Sequence, residues 1–188
     1  MQAFPRRAGP PAAEPVTLAE ALAHLREDAD GGANDAYVTT LITTARIACE
    51  DRTERSLITT PWALRLDAFP SAIELRQPPI IAVQTVAYLD ANGTQQTLAD
   101  TDYQVDPASE PGWLVPAPDK AWPATQSGAI NAVTVSYTAG YGATAASVPA
   151  PLIWWIKAAI RQMYDERGAD VPPDFGQGLL NPYRIRGI

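Results

Sequence analysis

The chain has 188 residues, 46% of them hydrophobic and 19% charged, with a net charge of −7, which gives one domain's worth of core and the composition of an ordinary soluble protein. No window approaches the roughly 18 apolar residues needed to cross a bilayer, so no membrane span is expected. Acidic residues dominate Val16 to Ala150, and a body of that sign is poor in the cations that displace counterions from phosphates, which makes it a poor candidate for a DNA clamp or sequence reader. An acidic wall would instead let a duplex slide past. The one cysteine, Cys49, forms no intrachain disulfide, and with the one histidine, His24, it does not complete a four-ligand zinc site. Packing alone must fold the chain, in keeping with synthesis in a reducing cytoplasm.

Residues 1–15 carry Arg6 and Arg7 with no apolar run behind them, so they read as a flexible arm and not as a secretory signal. Thr17-Leu18-Ala19-Glu20 is a capping-box pattern, and Leu18, Leu22 and Leu25 follow at helical spacing, predicting a helix over 18–27 that Asp30-Gly31-Gly32 ends. Asn34 or Asp35 is then expected to cap a longer helix over 35–56, with Val38, Ile42, Ala45 and Cys49 on one stripe; Pro61 forbids its continuation.

The period then changes. From Trp62 to Asp67 apolar and polar residues alternate as in a strand with one wet face, and Ile73-Glu74-Leu75 repeats the pattern briefly. Ile80 to Leu89 reads as a strand closed by Asp90-Ala91-Asn92-Gly93, where Asn-Gly supplies the positive φ angles of a tight turn, and Thr94 to Leu98 as its return. Tyr103-Gln104-Val105, Trp113-Leu114-Val115 and Ala132 to Thr138 are further strand candidates, so that a β-rich insertion spans 61–142. Leu152, Ile156, Ala159 and Met163 predict a last helix over 150–167. The prolines and glycines of 169–188 then leave an extended tail. The fold class is α+β: a helical bundle of two N-terminal helices and a C-terminal helix, forming one domain over 16–168, with an inserted small antiparallel β-domain.

No catalytic set, cofactor fingerprint or metal cluster stands out. His24 lies between Ala23 and Leu25 as a packing or surface residue, and Cys49 sits on an apolar stripe as a small hydrophobe. Asp100, Asp102, Asp106 and Glu110 lack the spacing of a calcium loop, and Gly140-Tyr141-Gly142 lacks the further glycine of a nucleotide-binding turn. Two features point to contact with other molecules. Trp154 and Trp155 are neighbours about 100° apart on a helix, so one intramolecular groove does not easily hide both rings. The closing Leu179-Leu180-Asn181-Pro182-Tyr183-Arg184-Ile185-Arg186 is apolar and basic with no periodic element, a composition suited to a groove on another molecule.

The order of segments resembles the head–tail connector family of tailed phages, the adaptors beneath the portal. The resemblance is carried by Val16-Thr17-Leu18, by Cys49-Glu50-Asp51-Arg52-Thr53, by Trp62 with the strand after it, and by Pro79-Ile80-Ile81 leading to Tyr88-Leu89-Asp90-Ala91-Asn92-Gly93. It continues through Val133-Thr134-Val135-Ser136-Tyr137-Thr138-Ala139-Gly140-Tyr141-Gly142, Val148-Pro149, Tyr164-Asp165-Glu166-Arg167 and the closing Leu179 to Arg184. It implies a non-enzymatic, cofactor-free subunit, repeated in a dodecameric ring in the neck of a phage or gene transfer agent and made in the bacterial cytoplasm. The implied partners are copies of itself, the portal protein and a downstream stopper or tail-completion protein, with DNA passing through the channel unread. The portal-docking residues would be Leu179, Leu180, Pro182, Tyr183, Arg184, Ile185 and Arg186, and the neighbour contacts Trp154 and Trp155. The alternative is a β-rich carbohydrate- or receptor-binding module of a tail structure, built on Trp62, Trp113 and Trp122; a small hydrolase using carboxylate pairs is a further rival.

Overall fold

The computed structural model describes residues 4–167 and 170–185. The chain divides into two compact units: a β unit of residues 4–11 and Thr59–Gly140, and a helical unit of residues 12–58 and the chain from Tyr141 on. No helix among the described residues is long and apolar enough to cross a membrane.

The β unit holds two antiparallel sheets. Strand β1 (Arg6–Arg7) lies at the edge of a five-stranded sheet, followed by β2 (Thr60–Leu66), β8 (Val133–Ala139), β4 (Ile80–Leu89) and β5 (Gln95–Thr97), in the order β1-β2-β8-β4-β5. The smaller sheet pairs β3 (Ile73–Leu75), β7 (Gly112–Pro116) and β6 (Tyr103–Asp106) in the order β3-β7-β6. Strand β8 shows the alternation most cleanly: Val133, Val135, Tyr137 and Ala139 are buried, while Thr134, Ser136 and Thr138 between them are not. Trp62, Leu64, Ile73, Leu75, Ile80, Val86 and Leu114 complete that core. Gly112 is dictated by close approach, because a Cβ there would stand 2.7 Å from Ile80 Cγ1. The hairpin at Gly93 (φ 80°) joins β4 to β5 at the expected turn.

The arm expected over residues 1–15 is tied down from Phe4 on. Arg6 and Arg7 pair with Ala63 and Trp62, Arg7 lies over the Trp62 ring and Arg76 over Phe4. The open edge of β2 offers unpaired backbone groups, and a two-residue strand satisfies them without any sequence alternation.

In the helical unit, α1 (Leu18–Leu25) carries the full capping box between Thr17 and Glu20. Helix α2 (Ala33–Thr53) begins earlier than expected, because Asp30, ahead of it, accepts hydrogen bonds from the amides of Gly32, Asn34 and Asp35. It stops at Thr53, short of 56, where Glu54 turns left-handed (φ 56°). Helix α3 (Ala150–Asp165) opens with Pro151 in its first turn, and the short α4 (Gln177–Leu180) lies in the tail. Leu22 and Leu25 of α1, Val38, Leu41, Ile42, Ala45 and Cys49 of α2, and Leu152, Ile156, Ala159, Ile160 and Met163 of α3 build one core. The first residues of α2 meet the last turn of α3, where the Tyr37 hydroxyl donates to Met163 O and that of Tyr164 to Asn34 Oδ1.

Candidate interaction surfaces of the helical unit

The paired tryptophans part company as their spacing demands. Trp155 points inward and is fully buried. Its Nε1 donates to Phe175 O at 2.9 Å, Phe175 stands edge-on to it at 5.8 Å, and the Arg52 guanidinium lies 5.0 Å over its ring. Trp155 is therefore a core residue of its own subunit, not the neighbour contact expected for it; the tail supplies the cover that was looked for on another molecule. Trp154 is 58% exposed, with the His24 ring T-shaped to it at 5.8 Å. The His24 imidazole is held below its usual pKa by burial first, then by the charges of Lys157 and Arg161. Beside Trp154 a shallow pocket of about 310 Å³ is lined by Ala145, Ala146, Val148, Ala150, Ile153 and Lys157.

The tail does have elements to belong to. Val171 and Leu180 are buried, and Phe175, Leu179 and Tyr183 pack against the core. Gly176 (φ 59°) lies so close to the indole that a Cβ would stand 2.5 Å from Trp155 Cδ1. Arg52 Nη2 donates to the carbonyls of Val171 and Pro172 at 2.6 and 3.1 Å, and Arg55 Nε donates to Tyr183 O. In return Arg184 Nε donates to Arg52 O at 3.0 Å and the Ile185 amide to Thr53 O at 3.1 Å. A helix leaves its last carbonyls without intrahelical donors, and the tail supplies donors to those of α2. Pro182 and Arg184 are exposed, Leu179, Tyr183 and Ile185 half-buried and Leu180 buried; Arg186 lies outside the described residues. The expected extended tail is thus, through Ile185, folded onto its own helical unit.

Beneath this surface lies a buried ionic cluster. Arg46 donates to Glu14 at 2.7 Å and to Glu50 at 2.8 Å, and both Arg46 and Glu50 are nearly inaccessible. The other oxygen of Glu50 accepts from the Leu57 amide at 3.0 Å, so three separate stretches of chain meet at one carboxylate–guanidinium group. Its members are saturated by one another, as a structural brace requires.

Burial pushes the Cys49 thiol up to about 12, which leaves almost no thiolate at neutral pH. The native protein is expected to resist a thiol reagent at pH 8 and to react at once when unfolded in urea; prompt labelling of the native protein would contradict this placement. Asp106 accepts from the Ala108 and Ser109 amides and the Ser109 hydroxyl, and Asp102 pairs with Lys120. Among the described residues no three His, Cys, Asp or Glu side chains are grouped to hold a metal ion. Of the tryptophans of the β unit, Trp62 is buried and Trp113 exposed, and one face of Trp122 is taken by Phe69, stacked at 4.8 Å.

No protein-family model matches the chain, and no curated protein matches it. Solved structures do. The class defined by these features is an α+β fold with a buried ionic cluster and an exposed tryptophan on its helical unit. Its fold is similar to that of a chain in the neck of an empty gene transfer agent particle computed with C6 symmetry, at TM-score 0.80 and 24% identity over 98% of this chain and 97% of that one. A chain of the virion of a native gene transfer agent particle gives TM-score 0.78 and 24% identity over 98% and 97%. One in the neck of a native particle computed with C12 symmetry gives 0.76 and 25% over 100% and 98%. The connector resemblance read from the sequence and the fold thus point to the same kind of particle.

Proposed function

We propose that the chain is a structural, non-enzymatic adaptor subunit in the neck of a tailed-phage-like particle, a gene transfer agent among them, where copies of it form a ring between head and tail. The observation that carries this reading is that the fold correspondence with neck chains covers 98% and 100% of this chain and 97% and 98% of those chains. The outward-facing Trp154 supports it. The ring would dock on the portal above and receive a stopper or tail-completion protein below. A net charge of −7 suits a channel wall along which DNA slides.

Within this reading Trp154 contributes a neighbour contact and the segment Leu179 to Arg186 the portal contact. With the tail seated as described, Pro182 and Arg184 are its outward groups; Leu180 and Tyr183 meet a portal only after leaving their places on the helical unit. Deleting Phe175 to Ile188 would also uncover Trp155, so loss of attachment in that truncation would not by itself locate the docking residues.

Particles assembled in cells lacking this chain are the test. The reading expects DNA-filled heads and separate tails, rejoined when the intact chain is supplied again. Joined, DNA-delivering particles in its absence would overturn it.

A further inference from the structure

Among the described residues of the helical unit, two large apolar side chains are exposed: Ile47 on α2, at 41%, and Trp154 on α3, at 58%. They belong to different faces. Helix α2 turns Val38, Leu41, Ile42, Ala45 and Cys49 into the core it shares with α1 and α3. Ala36, Thr40, Thr44 and Ile47 recur on its other side and are all exposed.

That outer face is unusual for a surface helix, because from Ala36 to Ile47 it carries no charge. Its hydroxyls are already used. Thr40 Oγ1 donates to Ala36 O at 3.0 Å and Thr44 Oγ1 to Thr40 O at 2.9 Å, so the threonines present methyl groups outward. Covering such a face orphans no donor, which removes the main cost of burying polar residues.

We propose that this face of α2 seats against the Trp154 surface of a second copy of the chain, with Ile47 entering the neighbour's pocket lined by Ala145, Ala146, Val148 and Ile153. The inference rests on the ring reading above. A closed ring of more than two copies joins each subunit head to tail, so every subunit must expose two different, mutually complementary patches. The necks that hold the similar folds were computed with C6 and C12 symmetry. The two exposed groups differ in the required way: one is a ridge bearing an aliphatic knob, the other an aromatic beside a hollow. Pairing Trp154 with Trp154 would close at two copies and leave the α2 face open.

Cysteines placed next to these anchors test the contact in assembled particles. Particles are made from the full chain carrying Thr44→Cys, from the chain carrying Ala146→Cys, from both chains together, and from the double variant, and are then mildly oxidised. A disulfide needs Cα atoms within about 7 Å of each other. The proposal expects no covalent product from either single variant alone, dimers from the mixture, and a ladder of multimers from the double variant. It also expects Trp154→Asp and Ile47→Asp each to weaken self-association by about 30-fold or more, with unchanged circular dichroism. Self-crosslinking of a single variant, linkage of Ala146→Cys to a different protein, or uncrosslinked rings would overturn the proposed contact while leaving the ring itself standing. Particles joined with no ring of this chain would remove both.

Discussion

Replacing Trp155 by alanine is expected to destabilise the helical unit by about 3–5 kcal/mol, the usual cost of emptying a fully buried tryptophan site. The indole is packed on every side: the α3 core surrounds it, Arg52 covers one face, and its Nε1 anchors the tail through Phe175 O. Alanine removes the ring, the hydrogen bond and the surface on which Gly176 rests. The tail should therefore loosen before the unit unfolds, seen as rapid amide exchange at Leu179 and Ile185, whose amides are bonded in the native chain to Gly176 O and Thr53 O. Trp154→Ala is the matched control, because it removes the same side chain one position away and should cost under about 1 kcal/mol at an exposed site. Urea unfolding followed by circular dichroism separates the two. Equal losses would mean that the inward and outward assignments are wrong.

Glu50→Leu is expected to cost about 3–5 kcal/mol for a different reason. The carboxylate is buried with Arg46 against it, and removing one member of a buried pair leaves the other charge short of a partner in a place water does not reach. The Leu57 amide loses its acceptor as well. Glu14 still holds Arg46, so Glu14→Ala, at the more open end of the cluster, should cost less. Replacing both charged core residues together, Arg46→Met with Glu50→Leu, should recover part of the loss, since an apolar pair of similar volume orphans no charge. A double variant worse than the sum of the singles would contradict this account.

The elements with strong local grammar were legible in the sequence. The capping box at Thr17 and Glu20, the hairpin at Asn92-Gly93 and the alternation of Val133, Val135 and Tyr137 each specify structure within a few residues, and each element stands within a residue or two of its expected place. What was not legible depends on partners far away in the chain. Arg6 and Arg7 show no strand pattern, and their order comes from the edge of β2. The tail reads as unstructured because its donors and acceptors, Arg52, Thr53 and Arg55, lie some 120 to 130 residues earlier. The adjacency of Trp154 and Trp155 did signal two environments; that Trp155 is the inward ring depends on the tail that covers it, where Gly176 was read only as a breaker of regular structure. The Arg46 and Glu50 spacing of four is visible on the helix, but its burial comes from the Glu14 segment folding over it.

The proposed role is that of a repeated subunit of a particle neck. It is tested most directly by a reconstruction, from electron cryomicroscopy, of the neck of particles whose assembly depends on the chain. The account predicts a closed ring between head and tail into whose density this α+β fold fits once per subunit, with the Trp154 surface of each copy covered by α2 of the next. A neck that contains no copy of the chain, or a single unrepeated copy, would contradict it.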